Sequence, residues 1–260
     1  MLSQQPLDAV PLPLFVLLFI LLTFACYEIG FRLGSRSTRR GDADEGGSTG
    51  VLVGSILALM AFLLGVTMGM AGDRFDTRRG LVLEEANAIG TTYLRAGYLP
   101  EPASAELREL IREYVPLRIA TDDDELLQAH IDRSVEVQAE MWALAEDVAR
   151  EEGNDVNALF IESLNDTIDL HTKRLTAGIY GRVPATILWL LIIGSALSLG
   201  LVGYSAGLAG KRRPVIASVL VLSMGTVLAL VIDLDRPVDG FITTNQAPLI
   251  QLQESIEESS

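Results

Sequence analysis

The side chains able to do chemistry in these 260 residues are chiefly carboxylates, with two histidines and one cysteine beside them. The run Asp122-Asp123-Asp124-Glu125 has the charge to ligate a divalent cation. It lacks the alternate spacing and the turn glycine of an EF-hand loop, and N-capping by Thr121 with acidic residues in a first helical turn accounts for it as well. Asp166, Asp169 and His171 fall within six residues. At 100° per residue they do not converge, so a metal site there needs ligands from another helix. The other histidine is His130. Cys26 alone rules out an intramolecular disulfide. Thr23-Phe24-Ala25-Cys26 can be read as a lipobox, but Met1–Pro13 carries no Lys or Arg and Thr23 stands where Leu is usual, so an ordinary first span fits better. No Ser-His-Asp arrangement, Gly-rich phosphate loop or paired-Cys motif can be assembled. The reading is therefore of a protein that is not an enzyme, with no catalytic residue, cofactor or metal.

The elements that position these groups follow from where charge is missing. Ala9–Tyr27, Gly46–Gly72, Val183–Gly210 and Pro214–Ile232 contain no Asp, Glu, Lys or Arg over 19, 27, 28 and 19 residues. About 20 apolar residues of helix cross a bilayer core about 30 Å thick, so the chain reads as a membrane protein. Spans are predicted over Leu12–Phe31, Val51–Gly72, Pro184–Leu208 and Val215–Ile232. A net charge of −14 leaves no basic surface for nucleic acid. Arg32, Arg36, Arg39 and Arg40 follow the first span, and Lys211, Arg212 and Arg213 join the last two. This bias puts both short loops in the cytoplasm and the termini outside. Arg74, Arg78, Arg79, Lys173, Arg174 and Arg182 flank the intervening segment and pull the other way.

Asp73–Arg182 holds 12 basic and 23 acidic residues, a net of −11, and the orientation makes it extracytoplasmic. Apolar residues at three- and four-residue steps predict helices there. One continues the second span through Val82, Ala86 and Ile89 and closes at Pro100. A second starts at Ser104 and runs through Leu107, Ile111 and Tyr114, with Pro116 bending or ending it. A third carries Leu127, Ile131, Val135, Met141 and Ala145. A fourth runs from Asp155 into Pro184. The fold class is an all-α membrane protein: four transmembrane helices in two hairpins, with an acidic bundle of about four helices between the second and third, two of them contiguous with spans. The organisation reads as 1–50, first span and basic loop; 51–100, second span continuing into the bundle; 101–183, acidic helical domain; 184–233, third and fourth spans; and 234–260, tail.

Small residues four apart in the second span, Gly54/Ala58 and Ala61/Gly65/Gly69, and Gly203/Gly207 in the third, make faces on which another backbone packs closely, within the chain or from another copy. Two segments fit bundle packing less simply. Glu84-Glu85-Ala86-Asn87 puts polar groups into a helix near the membrane, and Asp233-Leu234-Asp235-Arg236 ends the fourth span ahead of an apolar tail, Gly240–Ile250. Carboxylates at a membrane edge are functional candidates. The structural alternative is an interfacial anchor, with the tail docked on the bundle.

At these segments the chain resembles a bacterial integral-membrane family of unknown function described as bestrophin-like. The residues that carry the resemblance are Arg78-Arg79, Glu84-Glu85-Ala86-Asn87-Ala88-Ile89-Gly90-Thr91 through Tyr93-Leu94-Arg95 to Leu99-Pro100, and Tyr114-Val115 with Leu117-Arg118. It continues with Ser163-Leu164-Asn165-Asp166, Ile168-Asp169, His171 and Arg174, then Arg182 with Pro184, Asp233-Leu234-Asp235-Arg236-Pro237 and Gln246-Ala247, and it covers roughly Val51–Leu252. It implies two hairpins around a helical domain, and kinship with bestrophins, pentameric channels selective for anions. It marks Glu84, Glu85, Asn87, Asn165, Asp169, Asp233, Asp235 and Arg236 as motif positions without assigned roles.

The second span has no charged pore residue, so a constriction would be hydrophobic, built by Leu59, Phe62 and Val66 around a symmetry axis. The functional expectation is an oligomeric ion channel, its partners the lipid bilayer and further copies of the chain. The bundle's −11 keeps a second class open: a non-conducting, membrane-anchored interaction or sensor module.

Overall fold

The computed structural model describes residues 7–40, 46–121, 123–151, 153–237 and 240–258. Asp122 of the acidic run, the first six residues of the N-terminal tail and the side chain of Arg40 lie outside the described residues. Eight helices and no strand occur among the described residues: α1 Leu12–Arg40, α2 Gly46–Ala96, α3 Ala103–Leu117, α4 Asp124–Glu151, α5 Asp155–Ile179, α6 Ala185–Leu208, α7 Pro214–Asp235 and α8 Ala247–Glu258. Of these α1, α2, α6 and α7 are long and apolar enough to cross a membrane. The chain divides into two compact units.

The first unit holds the residues up to Arg74, Arg182–Arg236 and Gly240–Ile242. Its most extensive packing joins helices far apart in sequence, α1 and α6, with α7 against α1. The reason is glycine. A Cβ on Gly203 would run into the Tyr27 carbonyl, one on Gly207 into the Phe31 carbonyl, one on Gly30 into the Gly200 carbonyl, and one on Gly34 into the Tyr204 carbonyl. Lipid tails are as apolar as leucine, so helices gain little by merely hiding apolar surface. Close backbone approach lets dispersion hold them together. The predicted Gly203/Gly207 face is thus occupied, and Gly30 and Gly34, which spacing arguments passed over, supply its other half. At 29 residues, α1 is about 43 Å long, more than a core of about 30 Å requires, so its helix runs past the predicted end at Phe31.

The second unit holds Phe75–Gly181 and the tail from Thr243. The bundle portion of α2 contributes Val82, Ala86, Ile89 and Tyr93 to its core, α3 contributes Leu107, Ile111 and Tyr114, α4 contributes Met141 and Ala145, and α5 contributes Phe160 and Leu164. Burying each large side chain is worth roughly 1.5–3 kcal/mol. The tail does dock: α8 places Leu249 and Ile256 in the same core.

Some expectations need correction. The first turn of α4 is capped by Asp123, whose Oδ1 accepts from Glu125 N at 2.9 Å and Leu126 N at 3.1 Å. Thr121 accepts only from Asp123 N. A carboxylate next to the helix is better placed for the free N–H groups and the helix dipole than a hydroxyl two residues farther out. The buried face of α4 runs through Ser134, Val137, Gln138, Met141, Ala145 and Val148 and leaves Val135 exposed. α5 is not contiguous with α6: it ends at Ile179, and α6 starts at Ala185. Pro184 disfavours helical backbone at Val183, and Gly181 weakens the turn before it. Pro116 ends α3 one residue later, at Leu117.

Candidate functional site

Each unit buries a charged cluster among its described residues. In the second unit Glu85 of α2 is fully buried. Its Oε1 accepts from Arg118 Nε at 2.8 Å and its Oε2 from Arg174 Nη1 at 2.5 Å. The same Arg174 nitrogen donates to the Arg118 carbonyl at 2.8 Å, and Arg174 Nη2 donates to Gln246 Oε1 at 2.9 Å. Gln246 is oriented by donating to the Thr244 carbonyl at 3.0 Å. One carboxylate between two guanidiniums thereby ties together α2, the end of α3, α5 and the approach to α8. A buried carboxylate is tolerable only when its oxygens are paired in this way.

A chain of neutral groups lies beside it. Gln138 Nε2 donates to the Tyr114 hydroxyl at 2.7 Å, and that hydroxyl shares a 3.3 Å hydrogen bond with His171 Nδ1. Burial pushes the Tyr114 phenol up to about 12. Burial first, and then the positive charges of Arg118 and Arg174, push His171 down to about 4 against the pull of Glu85. Both groups are therefore neutral at pH 7. Deeper between α2 and α5, Thr92 shares a 2.9 Å hydrogen bond with Thr167 and donates to the Ser163 carbonyl at 2.9 Å.

The other cluster lies where the fourth span ends, in the first unit. Asp235 Oδ2 accepts from Arg182 Nε at 2.9 Å, and its Oδ1 accepts from Val183 N at 2.6 Å. Arg182 also holds Asp8 through both terminal nitrogens, at 2.9 and 2.8 Å. Asp233 accepts from Phe241 N at 2.8 Å and Ile242 N at 3.0 Å. Arg236 Nη2 donates to the Leu7 and Val10 carbonyls at 2.9 and 2.6 Å. These groups strap the segment ahead of α1 and the start of α6 to the end of α7, each carboxylate satisfying backbone N–H groups or a guanidinium.

Of the motif positions, Glu85 enters the first cluster and Asp233, Asp235 and Arg236 form the second. Glu84, Asn87, Asn165 and Asp169 lie exposed on α2 and α5 and join neither. Leu59, Phe62 and Val66 share an exposed face of α2, at 56%, 65% and 46% exposure. Sequence reasoning missed Asp8 and Gln138 as partners, and also Ser134, whose hydroxyl accepts from Arg118 Nη1 at 3.4 Å. Asp8 carried a signal, being the one acidic residue ahead of Glu28. Ser134 and Gln138 carried none beyond helical spacing. Among the described residues no group of three or more His, Cys, Asp and Glu side chains is placed to hold a metal ion.

The family model of the Bestrophin-like domain matches residues 17–249. No curated protein and no solved structure matches the chain. The matched stretch takes in most of α1, the whole of α2, α6 and α7, the Glu85 cluster, and Arg182, Asp233, Asp235 and Arg236 of the second cluster, while Asp8 precedes it, and the chain belongs to the Bestrophin-like domain family.

Proposed function

We propose that this membrane protein assembles with further copies of itself into a closed, ion-conducting ring in a bacterial inner membrane, with α2 along the pathway and anions as the permeant class. The observation that carries the reading is the bareness of α2. In the first unit α1 and α6 close on one another, whereas a Cβ on Gly54, Gly65 or Gly69 would meet nothing within 4 Å. Leu59, Phe62 and Val66, at steps of three and four, face outward beside these glycines. Copies set around an axis would bring these side chains together as an apolar constriction, while the glycines admit a neighbouring helix.

Two measurements test this. The mass of the purified protein in detergent should correspond to a ring of about five copies; a monomer or dimer removes the pore. Reconstituted in liposomes, the protein should pass ions, and Phe62→Ala should raise the flux by widening the constriction. Absence of flux, or flux indifferent to Phe62→Ala, defeats the reading.

A second reading rests on the bundle's charge of −11, which opposes anion entry: a non-conducting module whose bundle binds a partner outside the membrane. A folded, membrane-inserted protein that is monomeric and passes no ions would favour it.

A further inference from the structure

We propose that the end of the first unit formed by the last turns of α1 and the α6–α7 connection is a docking surface for anionic phospholipid headgroups, engaged by Arg36, Arg39, Lys211 and Arg213. Arg32, Arg36 and Arg39 stand four and three residues apart, so they line one face of α1 beyond the 20 residues that cross the hydrocarbon. All three are exposed, as are Lys211, Arg212 and Arg213. The single carboxylate among them, Glu28, is taken up by Arg32 at 2.9 Å and Arg212 at 3.1 Å. Arg212 is further held over the Phe31 ring at 4.7 Å. Arg36, Arg39, Lys211 and Arg213 have no carboxylate partner among the described residues.

Topology sorting alone asks only for positive charge in a loop. Here the charges stand on a frame. The α1–α6 seam continues to Gly34 against Tyr204 and Leu208, and Thr38 Oγ1 donates to the Leu208 carbonyl at 3.2 Å. Arg213 N donates to the Tyr27 hydroxyl at 3.2 Å, which ties the start of α7 to the same helix. The guanidiniums and the ammonium therefore project from fixed backbone, where lipid phosphates lie just outside the hydrocarbon. Bidentate donors suit phosphate, and each cation near an anionic surface strengthens binding about fivefold. The sequence continues into Asp42, Asp44 and Glu45, so the preference must be read on the full chain.

The test is native mass spectrometry of the full chain, released from detergent with phosphatidylglycerol or with phosphatidylcholine of the same acyl chains. Wild type should retain phosphatidylglycerol well over tenfold more than phosphatidylcholine, and the preference should fade in solution at high salt. Arg36→Gln with Arg39→Gln should lower phosphatidylglycerol retention roughly 25-fold with phosphatidylcholine unchanged. Arg36→Lys with Arg39→Lys should keep most of it. Equal retention of the two lipids by wild type, or a preference insensitive to salt, overturns the proposal even where a variant fails to fold. So does displacement by glycerol 3-phosphate at the lipid's own concentration, which would mark a soluble-phosphate site. The assay requires no conduction, so its outcome is independent of the channel reading.

Discussion

Gly203 and Gly207 of α6 lie against the α1 backbone at Tyr27 and Phe31, whereas Gly54, Gly65 and Gly69 of α2 have nothing within 4 Å of where a Cβ would stand. Both stripes obey one spacing rule. What separates them is the surface opposite. α1 answers α6 with Gly30 and Gly34, so each helix gives way to the other's carbonyls. α2 touches α6 at another face, where Met60 packs on Gly194. Spacing alone therefore shows that a backbone is able to approach, but a reciprocal small-residue face must be found before the partner is known.

The largest effect should come from filling the closed seam. A leucine at Gly203 meets backbone, which cannot rotate away, and the Gly203→Leu protein is expected to yield no folded, monodisperse material. Gly65→Leu should leave the thermal unfolding of the single chain within about 0.5 kcal/mol of wild type while lowering the mass in detergent. Equal damage from both substitutions would mean that the α2 stripe is packed within the chain, and the contrast would be lost.

Glu84 and Glu85 make the same comparison between adjacent residues of one type. Glu85 is fully buried between Arg118 and Arg174, and Glu84 is exposed. Glu85→Gln leaves two guanidiniums facing an amide and should cost about 3–5 kcal/mol in denaturant unfolding. Glu84→Gln should cost under about 0.5 kcal/mol. If Glu84→Gln nonetheless alters ion flux, the exposed carboxylate acquires a role that the buried one has only through the fold.

The same difference governs how much could be read beforehand. Four uncharged runs gave four span helices, because burying charge in hydrocarbon is costly enough to override local preference. The continuation of α2 was legible because Val82, Ala86 and Ile89 keep the helical step past the last span residue. α8 was not: Ala247–Glu258 is a short helix whose burial rests mainly on Leu249 and Ile256, too sparse a pattern to stand out. The candidate site divides likewise. Glu85, Asp235 and Arg236 could be singled out as charges in apolar surroundings, but pairing Arg182 with Asp8 closes a loop of 174 residues, and no local pattern specifies that. The α1 half of the glycine seam escaped notice because Gly30 and Gly34 sit at the end of a span, where one small pair is common.

His171 offers a smaller effect than filling the seam or opening the Glu85 pair, and the most selective probe of the bundle's interior. Its folded-state value near 4 lies below the ordinary 6.5, so the unfolded chain takes up the proton first as pH falls. Stability from this group is complete above about pH 6.5, declines between 6.5 and 4, and changes no further below 4, with a total loss of no more than about 3 kcal/mol. His171→Gln removes that slope. Gln is able to hydrogen-bond the Tyr114 hydroxyl in either sense, so the variant should lie close to wild type at pH 7.5 and exceed it near pH 5, where proton uptake by the unfolded imidazole has cost the wild type stability. Chemical denaturation in detergent at both pH values measures this difference. A wild-type slope unchanged in His171→Gln would assign the acid sensitivity to the Glu85 carboxylate, and would mean that burial and the charges of Arg118 and Arg174 do not oppose protonation of the imidazole as their placement requires.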